Sequence, residues 1–213
     1  MFRKLIHRRT ALGILGLALS GCSFDVPVKA AHSDAAVTNR LPLSMGYLLT
    51  PEFVGYEQTE TVNGGHELIF PIGKASQSAF QAMFAKLFAS DRPLAARPSA
   101  MAQAQGVDAV IEPRLTDSSI QGPSAFGWAG TWYVTLGYLF LLSDPAGREI
   151  AHWQVQGAGN SGTGVDWTGL AGSDSAAAAL SAALSDVENH FLTGFADVPG
   201  IHAWLKSKQM IAS

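Results

Sequence analysis

Residues 131–142 read TWYVTLGYLFLL, and this stretch decides the fold. Apolar side chains alternate along it, which is the period-2 pattern of a β-strand with one buried face. The alternating positions are Trp132, Val134, Leu136, Tyr138, Phe140 and Leu142. The next four residues, Asp144-Pro145-Ala146-Gly147, have the composition of a type I turn. Residues 148–156 are therefore predicted to return as the second arm of a β-hairpin.

Helical patterns lie on both sides of this hairpin. Apolar side chains at i, i+3, i+4, i+7 and i+8 from Phe80 predict a helix over about residues 75–89. A second long helix is predicted from Ser173 to about Phe195, and Pro199 opens a short last helix. The stripe of the long helix consists of Leu180, Leu184, Val187 and Phe191.

Earlier strands are predicted at residues 43–50 and 67–70 and from residue 106 to 112. Pro113 interrupts the last of these, which then resumes to about Ile120. With three later strands in succession, the order predicts an α+β fold: a mostly antiparallel sheet with helices packed on one face. We expect its core to contain Phe80, Phe84, Leu136, Tyr138, Leu184 and Phe191.

The amino terminus has the layout of an export signal. Basic residues at positions 3, 4, 8 and 9 precede an apolar run from Ala11 to Leu19. This run has nine residues, whereas a helix that spans a bilayer needs roughly 20. Small residues follow, and the sequence Leu19-Ser20-Gly21-Cys22 ends on the only cysteine of the chain.

These residues resemble the lipobox of bacterial lipoprotein signals. The resemblance implies cleavage before Cys22 and attachment of lipid, including acyl groups such as palmitate, to that residue. Ser23 at position two of the mature chain favours sorting to the outer membrane in lipoproteins of Gram-negative type. The alternative is that Cys22 is a structural or free cysteine.

Arg8 and Arg9 leave the export route open. The sequence from His7 to Leu12 resembles a twin-arginine signal, which moves folded proteins, although His and Ala replace residues more common there. An ordinary basic region ahead of an apolar segment would look the same. The two routes stay open.

Composition sets the domain boundaries and the charge. We predict a signal peptide over 1–21, a lipidated tether over 22–41, one periplasmic domain over 42–206 and a tail over 207–213. The domain has enough apolar residues for a hydrophobic core, since 47% of the chain is hydrophobic. Residues 1–21 hold four of the fourteen basic and none of the seventeen acidic side chains, so the remainder has a net charge of −7. This acidic balance argues against nucleic acid as a partner.

No motif predicts a catalytic, cofactor-binding or metal site. Residues 157–162 spell GxGxxG, but no helix follows directly, so a flexible loop is favoured over a dinucleotide site. The six histidines lack metal-ligand spacing, and no serine lies in a GxSxG motif. Aromatic residues in or near loops make Trp128, Trp153 and Trp167 candidate interface residues, with burial over the sheet as the alternative.

The order of elements resembles the group that contains the curli-secretion and exopolysaccharide-export lipoproteins and the TolB amino-terminal domain. Short sequence segments at residues 45–53, 70–76, 108–113 and 144–150 are similar to those of small proteobacterial lipoproteins. The resemblance implies a non-enzymatic scaffold or accessory subunit of an envelope assembly or export machine, anchored to the membrane by lipid. It also implies an envelope protein partner and makes the chain a candidate homo-oligomer. A periplasmic hydrolase with a convergent site is the alternative.

Overall fold

The computed structural model describes residues 23–29, 31, 40–62, 66–123, 129–162, 164–165 and 172–210. The strands are β1 Ser23–Asp25, β2 Leu41–Tyr47, β3 Gln58–Val62, β4 His66–Phe70, β5 Phe88–Pro93, β6 Ala109–Gln121, β7 Ala129–Gly130, β8 Tyr133–Ser143, β9 Glu149–Asn160 and β10 Gly164–Val165. The helices are α1 Pro51–Val54, α2 Ile72–Leu87, α3 Ser173–Gly194 and α4 Pro199–Ser207.

The main sheet has five strands in the order β5-β2-β6-β8-β9. Strand β2 runs parallel to both β5 and β6, whereas β8 is antiparallel to both β6 and β9. The predicted hairpin is the β8–β9 pair, in which Tyr138 lies opposite Val155. The α+β class is confirmed, with the refinement that the sheet is mixed.

Helices α2 and α3 pack against each other and over one face of this sheet. The ring of Phe80 on α2 lies 5.0 Å from that of Tyr138, and the ring of Phe191 on α3 lies 4.8 Å from that of Phe140. All six residues expected in the core are buried. The apolar stripes of α2 and α3 therefore pack against the apolar face of β8, as the two periodic patterns in the sequence predict.

Strand β6 continues through Pro113, which we expected to interrupt it. The carbonyl of Ile111 accepts a hydrogen bond from the amide of Leu48, so this side of β6 faces β2. Backbone groups two residues apart in a strand point to the same side, so the nitrogen of Pro113 also faces β2. Pairing with β2 stops at Ile111, so the missing N–H of Pro113 costs no bond between strands.

Strand β5 begins at Phe88, where the predicted helix was expected to continue to about residue 89. It follows α2 directly because Phe88 turns into the core, where its ring lies 5.4 Å from that of Phe195. The next residues then pair with β2 from Ser44 to Tyr47. Strand β3 was also missing from the sequence analysis, because the alternating polar residues of Gln58–Val62 resemble a loop.

A second sheet contains three strands in the order β1-β4-β3. Strand β1 lies in the segment that we expected to be a free tether, and it pairs in parallel with Glu67–Ile69 of β4. Val26, which follows it, is only 1% exposed. Burial of the apolar side chains of Phe24 and Val26 favours packing of this short segment, although the residues around them are mostly polar. Among the residues that the structure describes, no helix has the length and apolar character that crossing a membrane requires.

Candidate functional site

A shallow pocket of about 170 Å³ lies on the face of the main sheet that α2 and α3 leave uncovered. Glu112 and Leu141 lie opposite each other in β6 and β8, one residue out of phase with the core pair Ile111 and Leu142. Successive side chains in a strand point to opposite faces, so the first pair faces away from the helices. The pocket lies at the end of the sheet where β8 stops and β9 starts. It is lined by Leu48, Arg97, Val110, Glu112, Arg114, Leu141, Ser143 and Glu149, among others.

Glu112 is the central charged group of this pocket. This residue is only 7% exposed. The Nε of Arg97 donates to Oε2 at 2.7 Å, and the Nη2 of the same guanidinium donates to Oε1. The Nε of Arg114 donates to Oε1 at 2.9 Å. One buried carboxylate is therefore held by two guanidinium groups, one on its own strand and one on the segment that follows β5.

Two opposing effects act on the pKa of Glu112. Burial alone would raise the pKa, but the hydrogen bonds and positive charges of Arg97 and Arg114 outweigh it and hold the pKa below its ordinary value. The carboxylate is thus ionised at neutral pH with both oxygens occupied. A weak base with occupied oxygens is poorly suited to proton transfer. The arrangement instead fastens the segment around Arg97 to the sheet.

This cluster was not predicted from the sequence, although the sequence contains a signal for it. Glu112 follows Val110-Ile111 in a strand predicted to be buried, and a buried carboxylate requires a partner. Arg114, two residues on, shares its face of the strand. Arg97 lies in a loop fifteen residues earlier, and nothing in the sequence indicates that this loop folds over the pocket.

Other polar groups lie at the rim of the pocket. Glu149 is half exposed, and its Oε1 lies 2.6 Å from Nδ1 of His152. Ser143 also lines the pocket and lies opposite Glu149 across the hairpin. Between these described residues, no hydrogen bond links Ser143 to His152. The three side chains therefore do not form a hydrogen-bonded catalytic triad in this structure.

The GxGxxG sequence has a structural role in this fold. Gly157 and Gly159 lie within β9 rather than in a loop, and both face α3. A Cβ at position 157 would lie 2.5 Å from the carbonyl oxygen of Ala183, and one at position 159 would lie 2.2 Å from its nitrogen. Only glycine lets the helix backbone approach the strand this closely. The loop interpretation was wrong for these two residues, although the rejection of a dinucleotide motif is consistent with their position.

Side chains of α3 also cover the outer edge of β9. Oδ2 of Asp186 accepts the amide N–H of Ala158 at 2.9 Å, and Nδ1 of His190 lies 2.9 Å from the carbonyl oxygen of Gln156. Both backbone groups belong to the edge that β8 does not pair. Their partners on α3 reduce the number of free groups that another strand would need for edge-to-edge pairing.

The three candidate interface tryptophans differ in what the structure shows of them. Trp153 is partly buried beneath α3, with its ring 5.4 Å from Phe140 and 5.7 Å from Phe191. Trp128 and Trp167 lie outside the described residues. Trp132, in contrast, is only 2% exposed and packs against Phe70.

The predicted export and lipidation residues also lie outside the described residues. These are Arg8, Arg9, Leu19, Ser20, Gly21 and Cys22. Within the described ranges, no three side chains of His, Cys, Asp or Glu come together as a metal site would need.

The fold has relatives among solved structures. No protein-family model matches the sequence, and the comparison with curated proteins gave no match. A Xanthomonas campestris crystal structure of family DUF330 is 11% identical, with a TM-score of 0.53 over 89% of this chain and 99% of that chain. Two other structures are less similar in fold. A minor lipoprotein from Acinetobacter baumannii is 7% identical, with a TM-score of 0.38 over 75% of this chain and 94% of that chain. A PelC dodecamer from Paraburkholderia phytofirmans is 17% identical, with a TM-score of 0.31 over 76% of this chain and 95% of that chain.

The Xanthomonas structure establishes a shared fold. The more distant neighbours are bacterial lipoproteins and PelC, which is the group that the element order was expected to resemble. The expected fold is confirmed by the Xanthomonas structure.

Proposed function

We propose that the protein is a lipoprotein of the bacterial outer membrane that faces the periplasm. In this proposal it is a non-enzymatic scaffold or accessory subunit in envelope assembly or export. The observation that carries the proposal is the sequence Leu19-Ser20-Gly21-Cys22 after a basic and apolar leader. Lipidation of Cys22 is compatible with this fold, because the chain has a single cysteine and its domain therefore needs no disulfide.

The state of the pocket supports a non-enzymatic role. Glu112 has both oxygens occupied and a lowered pKa, and the exposed Glu149 is bound to His152. A hydrolase at the rim would need Ser143 and His152 to move into hydrogen-bond contact. Loss of a measured esterase or peptidase activity in the Ser143→Ala variant, with folding unchanged, would favour the hydrolase over the scaffold.

Lipidation is tested by replacing the acceptor. We expect Cys22→Ala to abolish incorporation of labelled fatty acid and to leave the uncleaved precursor in the inner membrane. The matched control is Ser23→Ala, which keeps the cysteine and should be processed normally. A Cys22→Ala protein that fractionated as a mature outer-membrane protein would contradict the proposal.

The scaffold role is tested by partners. In-cell crosslinking followed by identification of the crosslinked proteins should recover an envelope protein or a second copy of this chain. Self-association is a further part of the proposal, because the PelC neighbour is described as a dodecamer. A chain recovered only as a monomer under all growth conditions would argue against a scaffold.

A further inference from the structure

The chain is fastened to the domain from Ser23 onward. Ser23, Phe24 and Asp25 lie opposite Glu67, Leu68 and Ile69 of β4, and the amide of Val26 donates to the carbonyl of Ile69 at 2.8 Å. These pairings begin one residue after the predicted lipid acceptor. The described residues from Ser23 to Val26 are therefore docked on β4, whereas a free tether was predicted for this part of the chain.

Contacts beyond β1 strengthen this attachment. Val26 is 1% exposed and belongs to the hydrophobic core. The ammonium of Lys29 lies 3.2 Å from Oδ1 of Asp174, in the first turn of α3. Ala31 is buried as well. The segment is thus held by strand pairing, by a buried side chain and by an ion pair to a second element.

This attachment lies at one end of the main sheet. Strand β4 leads to Phe70, whose ring lies 5.6 Å from that of Trp132, the residue before β8. The first turn of α3, which Lys29 contacts, follows Gly172, and a Cβ on that glycine would touch the Trp132 ring. Strand β1 therefore lies at the end where β8 begins.

The pocket lies at the other end. Glu112 is opposite Leu141, near the end of β8. The loop beside the pocket contains Met101, which is fully exposed, and Ala104 in this loop donates to the carbonyl of Pro145 in the hairpin turn. A strand rises about 3.3 Å per residue, so the length of β8 separates the two ends by roughly 30 Å.

We propose that the lipid on Cys22 holds the β1 end of the domain against the bilayer and directs the pocket end away from it. This inference rests on the proposed lipidation. One peptide unit joins Cys22 to Ser23, and consecutive Cα atoms are about 3.8 Å apart. The anchor therefore leaves the domain at β1, and the surface presented to a periplasmic partner includes the pocket and the loop that carries Met101.

Anchoring rather than charge sets this orientation. Asp25 and Glu67 are exposed at the β1 end, and Lys29 is paired with Asp174. An acidic end gains nothing from anionic headgroups. The orientation should therefore be the same on neutral and on anionic vesicles.

Energy transfer to a membrane dye tests the proposal in the full-length lipidated protein. Cys22 is the only native cysteine and its thiol is consumed by lipid, so one engineered cysteine can be labelled alone. Thr61, on β3 opposite Glu67, reports on the β1 end, and Met101 reports on the pocket end. We expect greater transfer from Thr61→Cys than from Met101→Cys in phosphatidylcholine vesicles that contain an acceptor lipid.

A spacer provides the control. About twelve glycine and serine residues inserted between Cys22 and Ser23, with serine first, have an end-to-end distance of about 20 Å and leave β1 intact. The difference between the two labels should then be lost. Equal transfer from both labels in a protein that mass spectrometry shows to be lipidated overturns the orientation alone. An unlipidated protein overturns the proposed function as well.

Discussion

The contact between β9 and α3 leads to a sharp prediction about Gly157. Replacing it by alanine would place a Cβ 2.5 Å from the carbonyl oxygen of Ala183 and 2.6 Å from the nitrogen of Val187. Both are backbone atoms of α3, so no side chain can rotate to make room. The helix itself would have to move away from the strand.

The size of the effect follows from what that movement disturbs. Overpacking in a core costs about 1–3 kcal/mol when side chains absorb it. Here the displaced element is α3, whose face buries Leu184, Val187 and Phe191 against the sheet. We therefore expect Gly157→Ala to lower the free energy of unfolding by about 3 kcal/mol, at the upper end of that range.

Urea unfolding of the chain from Ser23 onward measures this effect, with tryptophan fluorescence as the probe. Gly194→Ala is the matched control, because its φ is −97° and no atom lies within 4 Å of the added Cβ. Gly194→Ala should be neutral or stabilising by up to about 1 kcal/mol. If Gly157→Ala unfolded at the wild-type urea concentration, the packing explanation for these glycines would be refuted. A nucleotide-binding loop would instead lose ligand binding at unchanged stability.

Two further substitutions test the polar contacts. Glu112→Gln should lower the free energy of unfolding by about 1–2 kcal/mol at pH 7. The effect is modest because both arginines are half exposed to solvent. Since the folded pKa of Glu112 is lowered, its contribution is present above the ordinary value of 4.5 and is lost as the pH falls below it. Urea unfolding from pH 7 to pH 3 should show a shallower loss of stability for Glu112→Gln than for wild type. Tyr138→Phe should cost about 1 kcal/mol in the same assay, because it removes the buried 2.6 Å hydrogen bond to Ser76. Tyr133→Phe, at an exposed position, should change stability by less than about 0.5 kcal/mol. Equal effects of the two tyrosine substitutions would contradict the importance of the Ser76 contact.

The parts of the fold that sequence analysis predicted are those with strong periodicity. The alternation over residues 131–142 gave β8, and the stripes through Phe80 and Leu184 gave α2 and α3. These patterns report which face of an element is buried, so the predicted core was confirmed as well. Boundaries shifted by a few residues, because helix and strand ends depend on neighbours in space.

The missed features depend on contacts that are distant in sequence. Strand β1 exists because β4 offers it an edge, and neither Ser23–Asp25 nor the polar Gln58–Val62 has a clear strand pattern alone. Arg97 belongs to the pocket because a loop folds over Glu112, which local sequence does not encode. Gly157 and Gly159 were interpreted as loop residues because glycine is common in turns, whereas here it permits close approach of a helix.

Intact-mass measurement of the protein extracted with detergent from membranes tests the central claim most directly. The lipoprotein assignment predicts a chain that begins at Cys22, lacks residues 1–21 and carries additional mass from acyl and glyceryl groups. The Cys22 thiol should not react with maleimide. A chain that begins at Met1, or a mature chain whose Cys22 thiol is free, would contradict the assignment.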